Sequence, residues 1–241
     1  DAKSDLEQAR FSAQQAKEAL LQGNTADASR WADSARSHAL AAQAATHSLS
    51  WNVISAVPWV GSPFKTGQQI SDVVLELTTD VLQPSAQVGI AISPERLLSG
   101  GRLDVKALRA AEPHLAEIAV SADRIESAAQ AIADPRYLSA LRDARAQLQS
   151  QTAELTGMLE NTALAARLAP AMMGADGPRT YFMGFQTNAE ARGTGGLLGG
   201  FGILRFDDGV AKVDTLAPNT ELSKLTAPID LGHEFADQYG Y

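Results

Sequence analysis

Apolar positions recur every three or four residues along the first two thirds of the chain, and most of them are alanine. In "DAKSDLEQARFSAQQAKEALLQ", Leu6, Ala9, Ala13, Ala16 and Leu20 form one stripe, which a helical period places on a single face. Gly23, Asn24 and Thr25 then supply a stop and a new cap. "DASRWADSARSHALAAQAATHSL" repeats the spacing through Ala28, Trp31, Ala35, Ala39 and Ala42. Side chains this small let two helices approach closely, so the two segments predict an antiparallel helical hairpin. Pro58, Gly61 and Pro63 interrupt the pattern, which resumes through Ile70, Val73, Val74, Leu77 and Val81, and Pro84 is expected to end or kink that helix. Two more helical segments follow, with Asp104 and Asp134 near their starts. The expectation is a bundle of about five helices over residues 1–170. No repeat of the first hairpin continues beyond it, which argues against a helical solenoid.

Near Pro170 the period changes. Only 7 of the 19 glycines and 6 of the 14 aromatic residues lie in residues 1–170, against 12 and 8 in the last 71. "RTYFMGFQ" alternates and carries aromatics, "LLGGFGILRF" is a second apolar run, and "DDG" joins it to "VAKVDTL" as a tight hairpin turn. Three strands alone are marginal, so this small antiparallel sheet is expected to rest one face on the bundle. The predicted fold class is α+β: a helical bundle region over 1–170, then the start of a β-rich region over 171–241.

Composition narrows the chemistry. At 241 residues the chain can bury a substantial core. Its net charge of −8, with no clustered basic face, argues against nucleic acid as a partner. The absence of cysteine excludes thiolate metal sites, and His38, His47, His114 and His233 have no ligand spacing. No metal and no cofactor is expected. The longest apolar run, "VISAVPWV", is too short to span a bilayer.

One loop carries the candidate chemistry. "TNAEARGTGG", residues 187–196, links the first two strands and is too long for a tight turn. Gly193, Gly195 and Gly196 permit positive φ and close approach of backbone amides to a bound group. Arg192 offers a forked donor suited to carboxylate or phosphate, and Glu190 can hold that arginine or bind a cation. Asn188, Glu190, Arg192, Thr194, Gly195 and Gly196 are therefore the ligand-binding or structural candidates. In one reading Arg192 is fixed by Glu190 or by a bundle carboxylate; in the other it is free to take an anionic ligand. Trp51 and Trp59, flanking the Pro58 turn, either plug the open end of the bundle or form a partner-docking surface. Gly199, Gly200 and Gly202 in the second strand mark a bulge or tight packing against a helix rather than a ligand contact.

The run "RTYFMGFQTNAEARGTGGLLGGFGILRFDDGVAKV" resembles the signature of a bacterial family catalogued as domain of unknown function 4012, through Gln186, Asn188, Ala189, Glu190, Arg192, Thr194, Gly195 and Gly196. The upstream "ALLQGNTADASRWADSARSHALAAQ" and "ISAVPWVGSPFKTGQQISDVV" are similar to that family's helical lead-in. Position 193 is glycine where similar sequences often have proline, which loosens the loop. The resemblance implies an extracytoplasmic module of a membrane-anchored envelope protein, with an envelope protein or glycopolymer as partner. The anchor would be an upstream helix, as a chain starting at Asp1 without methionine suggests, and a downstream half of the family domain would complete the sheet. The family name implies no established chemistry; the role expected from the residues is non-catalytic docking or scaffolding, in which the bundle docks partners and the glycine-rich loop shapes the sheet. The alternative is a glycopolymer transferase or ligand-binding domain that resembles the LytR-CpsA-Psr proteins, acting on a phosphorylated or anionic envelope substrate at the glycine-rich loop. The chain lacks their fuller set of aspartates and arginines.

Overall fold

The computed structural model describes residues 2–48, 61–135, 138–187, 196–224 and 232–239. It is an α+β protein, with a helical region followed by an antiparallel sheet. Helices α1 (Ala2–Leu21) and α2 (Thr25–Thr46) form the expected hairpin. Gly23 adopts φ 74° at the turn, and the Asn24 side chain caps α2 by accepting from the Asp27 amide at 3.2 Å. The hairpin closes on alanines: Ala9, Ala28, Ala35, Ala39 and Ala42 have no exposed surface.

The third helical stretch is continuous through Pro84. It comprises α3 (Gly61–Glu76), a π-helical segment (Leu77–Leu82) and α4 (Gln83–Ala91). Pro84 was expected to end or kink this helix. Instead it occupies the first turn of α4, and the wider π turn stands before it. The i−4 hydrogen bond that proline cannot make falls where the ladder is already offset. After the short α5 (Pro94–Leu97) come the long helices α6 (Val105–Gln130) and α7 (Ser139–Met172). Asp104 caps α6, its Oδ1 accepting from the amides of Lys106 at 3.1 Å and Ala107 at 2.9 Å. Asp134 does not cap α7. That helix starts after Leu138, and Asp134 faces Arg142 at 3.7 Å.

The main core joins α3, the π segment, α6 and α7 through residues such as Ile70, Val81, Ile118, Ile125 and Leu148. A second cluster of Ala16, Ala28, Ala35, Leu82 and Ala86 binds the α1–α2 hairpin to α4. Carbonyls at the end of α6 are satisfied from α7: Arg145 Nε donates to Ile132 O at 2.6 Å, and Gln149 Nε2 to Ala129 O at 3.0 Å.

The sheet has five strands rather than the expected three, in the order β1-β2-β5-β4-β3. Strands β3 (Arg179–Thr187), β4 (Leu197–Asp207) and β5 (Val210–Pro218) fall where alternation placed them. Two-residue strands β1 (Leu98–Ser99) and β2 (Arg102–Leu103) come from the helical half and extend the β5 edge. Each of the two tight turns, Gly100–Gly101 and Asp208–Gly209, has positive φ at both positions, the form that matches strand twist. Helix gives way to sheet between Met172 and Arg179.

Candidate functional site

The sheet does not rest a face on the bundle as expected; it is held by one end. The β4–β5 turn is gripped from two sides. Gly209 O accepts from the Leu103 amide at 2.9 Å, and the Gly209 amide donates to Met173 O at 2.9 Å. The Asp208 amide donates to Gly174 O at 3.2 Å, and Asp208 pairs with Arg102. Gly209 is buried with φ 80°, and a Cβ there would overlap the Leu103 carbonyl oxygen. Gly174, φ 80°, is also close-packed on the other side, where a Cβ would stand 2.7 Å from Phe206 O. Arg109 of α6 adds hydrogen bonds from its Nη2 to both carboxylate oxygens of Asp176, at 2.9 Å to Oδ1 and 2.8 Å to Oδ2. On β3, Tyr181 Oη donates to Met172 O at 2.7 Å and Arg179 Nε to Ala171 O at 3.3 Å, which satisfies carbonyls at the end of α7.

Beyond this clamp the sheet projects. Among the described residues of β3, β4 and β5 only Gly202 is buried. Paired positions share a face, so the register sorts the side chains. One face carries Phe182, Phe201 and Ile203, the two rings stacked at 5.4 Å. The other carries Tyr181, Met183, Phe185, Leu204, Val213 and Leu216. Exposure is 58% at Phe182, 48% at Phe185, 54% at Val213 and 71% at Leu216. Large apolar side chains are thus open on both faces. Near the clamp the surface turns polar, where Asp214 bridges Arg205 at 2.5 Å and Lys212 at 3.3 Å.

Of the residues singled out in the β3–β4 loop, Asn188, Glu190, Arg192, Thr194 and Gly195 lie outside the described residues, as do Trp51 and Trp59. Gly196 is described. It adopts φ 125°, and its carbonyl accepts from Gln186 Nε2 at 3.4 Å. The strand ends that launch the loop are paired, Thr187 with Leu197, and Thr187 Oγ1 donates to Leu197 O at 3.0 Å. The expected bulge is present: register shifts at Phe185/Gln186, leaving Gly199 as the extra residue on β4. Asn219, past β5, fixes this end by donating to Leu198 O at 2.7 Å.

Sequence reasoning missed the clamp and the two-sided apolar surface. The second had a signal. "RTYFMGFQ" places Phe182 on one face and Tyr181, Met183 and Phe185 on the other, so neither face is polar. Among the described residues no three or more histidines, carboxylates or cysteines gather as a metal site, and no helix is long and apolar enough to cross a membrane.

A helical bundle gripping one end of a projecting antiparallel sheet is the class of structure this chain defines. Residues 176–241, the segment that contains β3, β4, β5 and the glycine-rich loop, match the model of a family described as "Protein of unknown function (DUF4012)". Comparison with curated proteins and with solved structures returns no match.

Proposed function

We propose that the chain is a non-catalytic, extracytoplasmic module of a membrane-anchored cell-envelope protein, in which the bundle is a support and the projecting sheet docks an envelope polypeptide. The observation that carries this reading is the sheet itself, apolar on both faces and, among the described residues, fastened to the bundle at one end. An isolated sheet of this kind is a poor free surface but an effective template for a covering chain, which gains the burial of Phe182, Phe185, Val213 and Leu216. The clamp fixes the angle at which that surface is offered. The envelope placement follows from the family resemblance.

The absence of cysteine makes a topological test direct. Glu160, exposed on α7, is replaced by cysteine, and intact producing cells are treated with a membrane-impermeant maleimide. Labelling before lysis is expected, and labelling only after lysis would overturn the envelope placement. For docking, the Phe182→Asp/Leu216→Asp protein should extract from the envelope as a smaller native assembly than the parent. An unchanged hydrodynamic size would contradict the docking role.

A further inference from the structure

The sheet has an open margin at β3. This strand ends the order β1-β2-β5-β4-β3 and pairs with β4 on one side only. Among the described residues, no backbone group from Thr180 to Phe185 bonds outside that ladder. Such an edge presents its outward N–H and C=O groups as a template for another strand, and sheets blunt it with shortness, charge or proline. The opposite margin is blunted in all three ways. Strands β1 and β2 have two residues each, β2 pairs with β5 only at Val210, and the rest of the β5 edge carries Lys212, Asp214 and Pro218. From Thr180 to Thr187, β3 carries no charge and no proline. The neighbouring bulge takes its extra residue from β4, so β3 itself runs unbroken.

The strand is also complementary to itself. Met183 is the midpoint of its nine residues, so an antiparallel copy related by a two-fold axis through that position pairs the strand over its whole length. Tyr181 then stands opposite Phe185, and the Phe182 ring lies opposite Gly184, where it covers bare backbone. The single charge, Arg179, meets Thr187, and no like charges oppose. Each clamp grips the sheet at the Asp208–Gly209 turn, the end at which β3 begins with Arg179. Antiparallel pairing therefore sets the two bundles at opposite ends of the joined sheet.

We propose that a second copy of this chain adds to the sheet at β3, the two β3 strands pairing antiparallel about Met183 to form one continuous sheet. Main-chain hydrogen bonds supply the contact, and the paired side chains set its register. This contact lies at the margin of the sheet and does not rest on the docking role of the faces, which it leaves open.

Sedimentation velocity of the purified chain over a range of concentrations is expected to show a reversible monomer–dimer equilibrium. Thr180 and Gln186 stand opposite each other at two equivalent places in the pair. Thr180→Lys/Gln186→Lys opposes lysines at both, whereas Thr180→Lys/Gln186→Glu opposes unlike charges and should dimerise about tenfold more tightly. Both positions are exposed and both variants lose the same two side chains, so circular dichroism matching the parent confirms that they fold. Because the chain has no cysteine, Met183→Cys reads the axis directly. It is expected to form an intermolecular disulfide on mild oxidation much faster than Glu160→Cys on α7. A chain monomeric at every concentration overturns the proposal. So does a dimer equally strong in the two charge variants, or one in which Met183→Cys cross-links no faster than Glu160→Cys, since either would place the contact elsewhere.

Discussion

Replacing Gly209 by alanine perturbs the clamp at its tightest point. Two effects separate cleanly there. Forcing a side chain into φ 80° costs about 1–2 kcal/mol. The added Cβ also overlaps the Leu103 carbonyl, so β2 must move away from the turn. That movement breaks the Leu103 amide bond to Gly209 O and strains the Gly209 amide bond to Met173 O, both 2.9 Å. At about 0.5–1.5 kcal/mol each, these add about 1–3 kcal/mol. Gly101→Ala is the matched reference: it has φ 79°, also in a two-residue turn, but a Cβ there meets nothing within 4 Å. It should show the backbone cost alone. Native-state amide exchange reads the clamp locally. The Leu103 and Gly209 amides should lose about 1–3 kcal/mol more protection in Gly209→Ala than in Gly101→Ala, while amides of the α6 core are unaffected. Equal losses in the two variants would refute the close-approach argument.

Other expected outcomes concern the bundle. Ala35→Leu, at a position with no exposed surface between α1 and α2, should destabilise by about 1–3 kcal/mol in urea unfolding, since the hairpin has no space for the added carbons. Asp104→Ala should cost about 0.5–2 kcal/mol by removing the cap that serves two amides of α6, with Asp104→Asn recovering most of it. The Glu154 carboxyl is held below its ordinary range, first by the hydrogen bond from Lys17 and then by that lysine's charge. A lowered folded-state pKa contributes stability above the unfolded carboxylate pKa that is lost as pH falls through the folded value. The stability difference between the parent and Glu154→Gln should therefore be present at neutral pH and close in acid, and a difference that grew on acidification would contradict the pairing.

The helices were legible because alanine spacing and close packing are the same fact seen twice: Ala9, Ala28, Ala35 and Ala42 lie on the predicted stripes and are buried. The turn at Asp208–Gly209 was equally readable, since few residue pairs tolerate positive φ at both positions. Strands β1 and β2 were not. Two residues have no period, and their pairing depends on β5, which lies more than a hundred residues later. The π segment escaped notice because Leu77 and Val81 keep helical spacing through it. The expectation that a sheet face covers the bundle failed for a general reason: alternation identifies apolar faces but not what covers them, and here the bundle closes on its own alanines and aliphatics. Of the loop chemistry, only Gly196 and the paired strand ends Thr187 and Leu197 fall among the described residues.

The docking role of the sheet is tested most directly by measuring how fast a cysteine at position 216 reacts with an impermeant maleimide, in the purified chain and on intact producing cells. Leu216 is the most exposed of the large apolar residues on its face, and Glu160→Cys on α7 serves as the reference. Leu216→Cys is expected to react as fast as the reference when purified and to be strongly protected on cells, where the partner covers it. Equal reaction at both positions on cells would show a bare sheet and contradict the account.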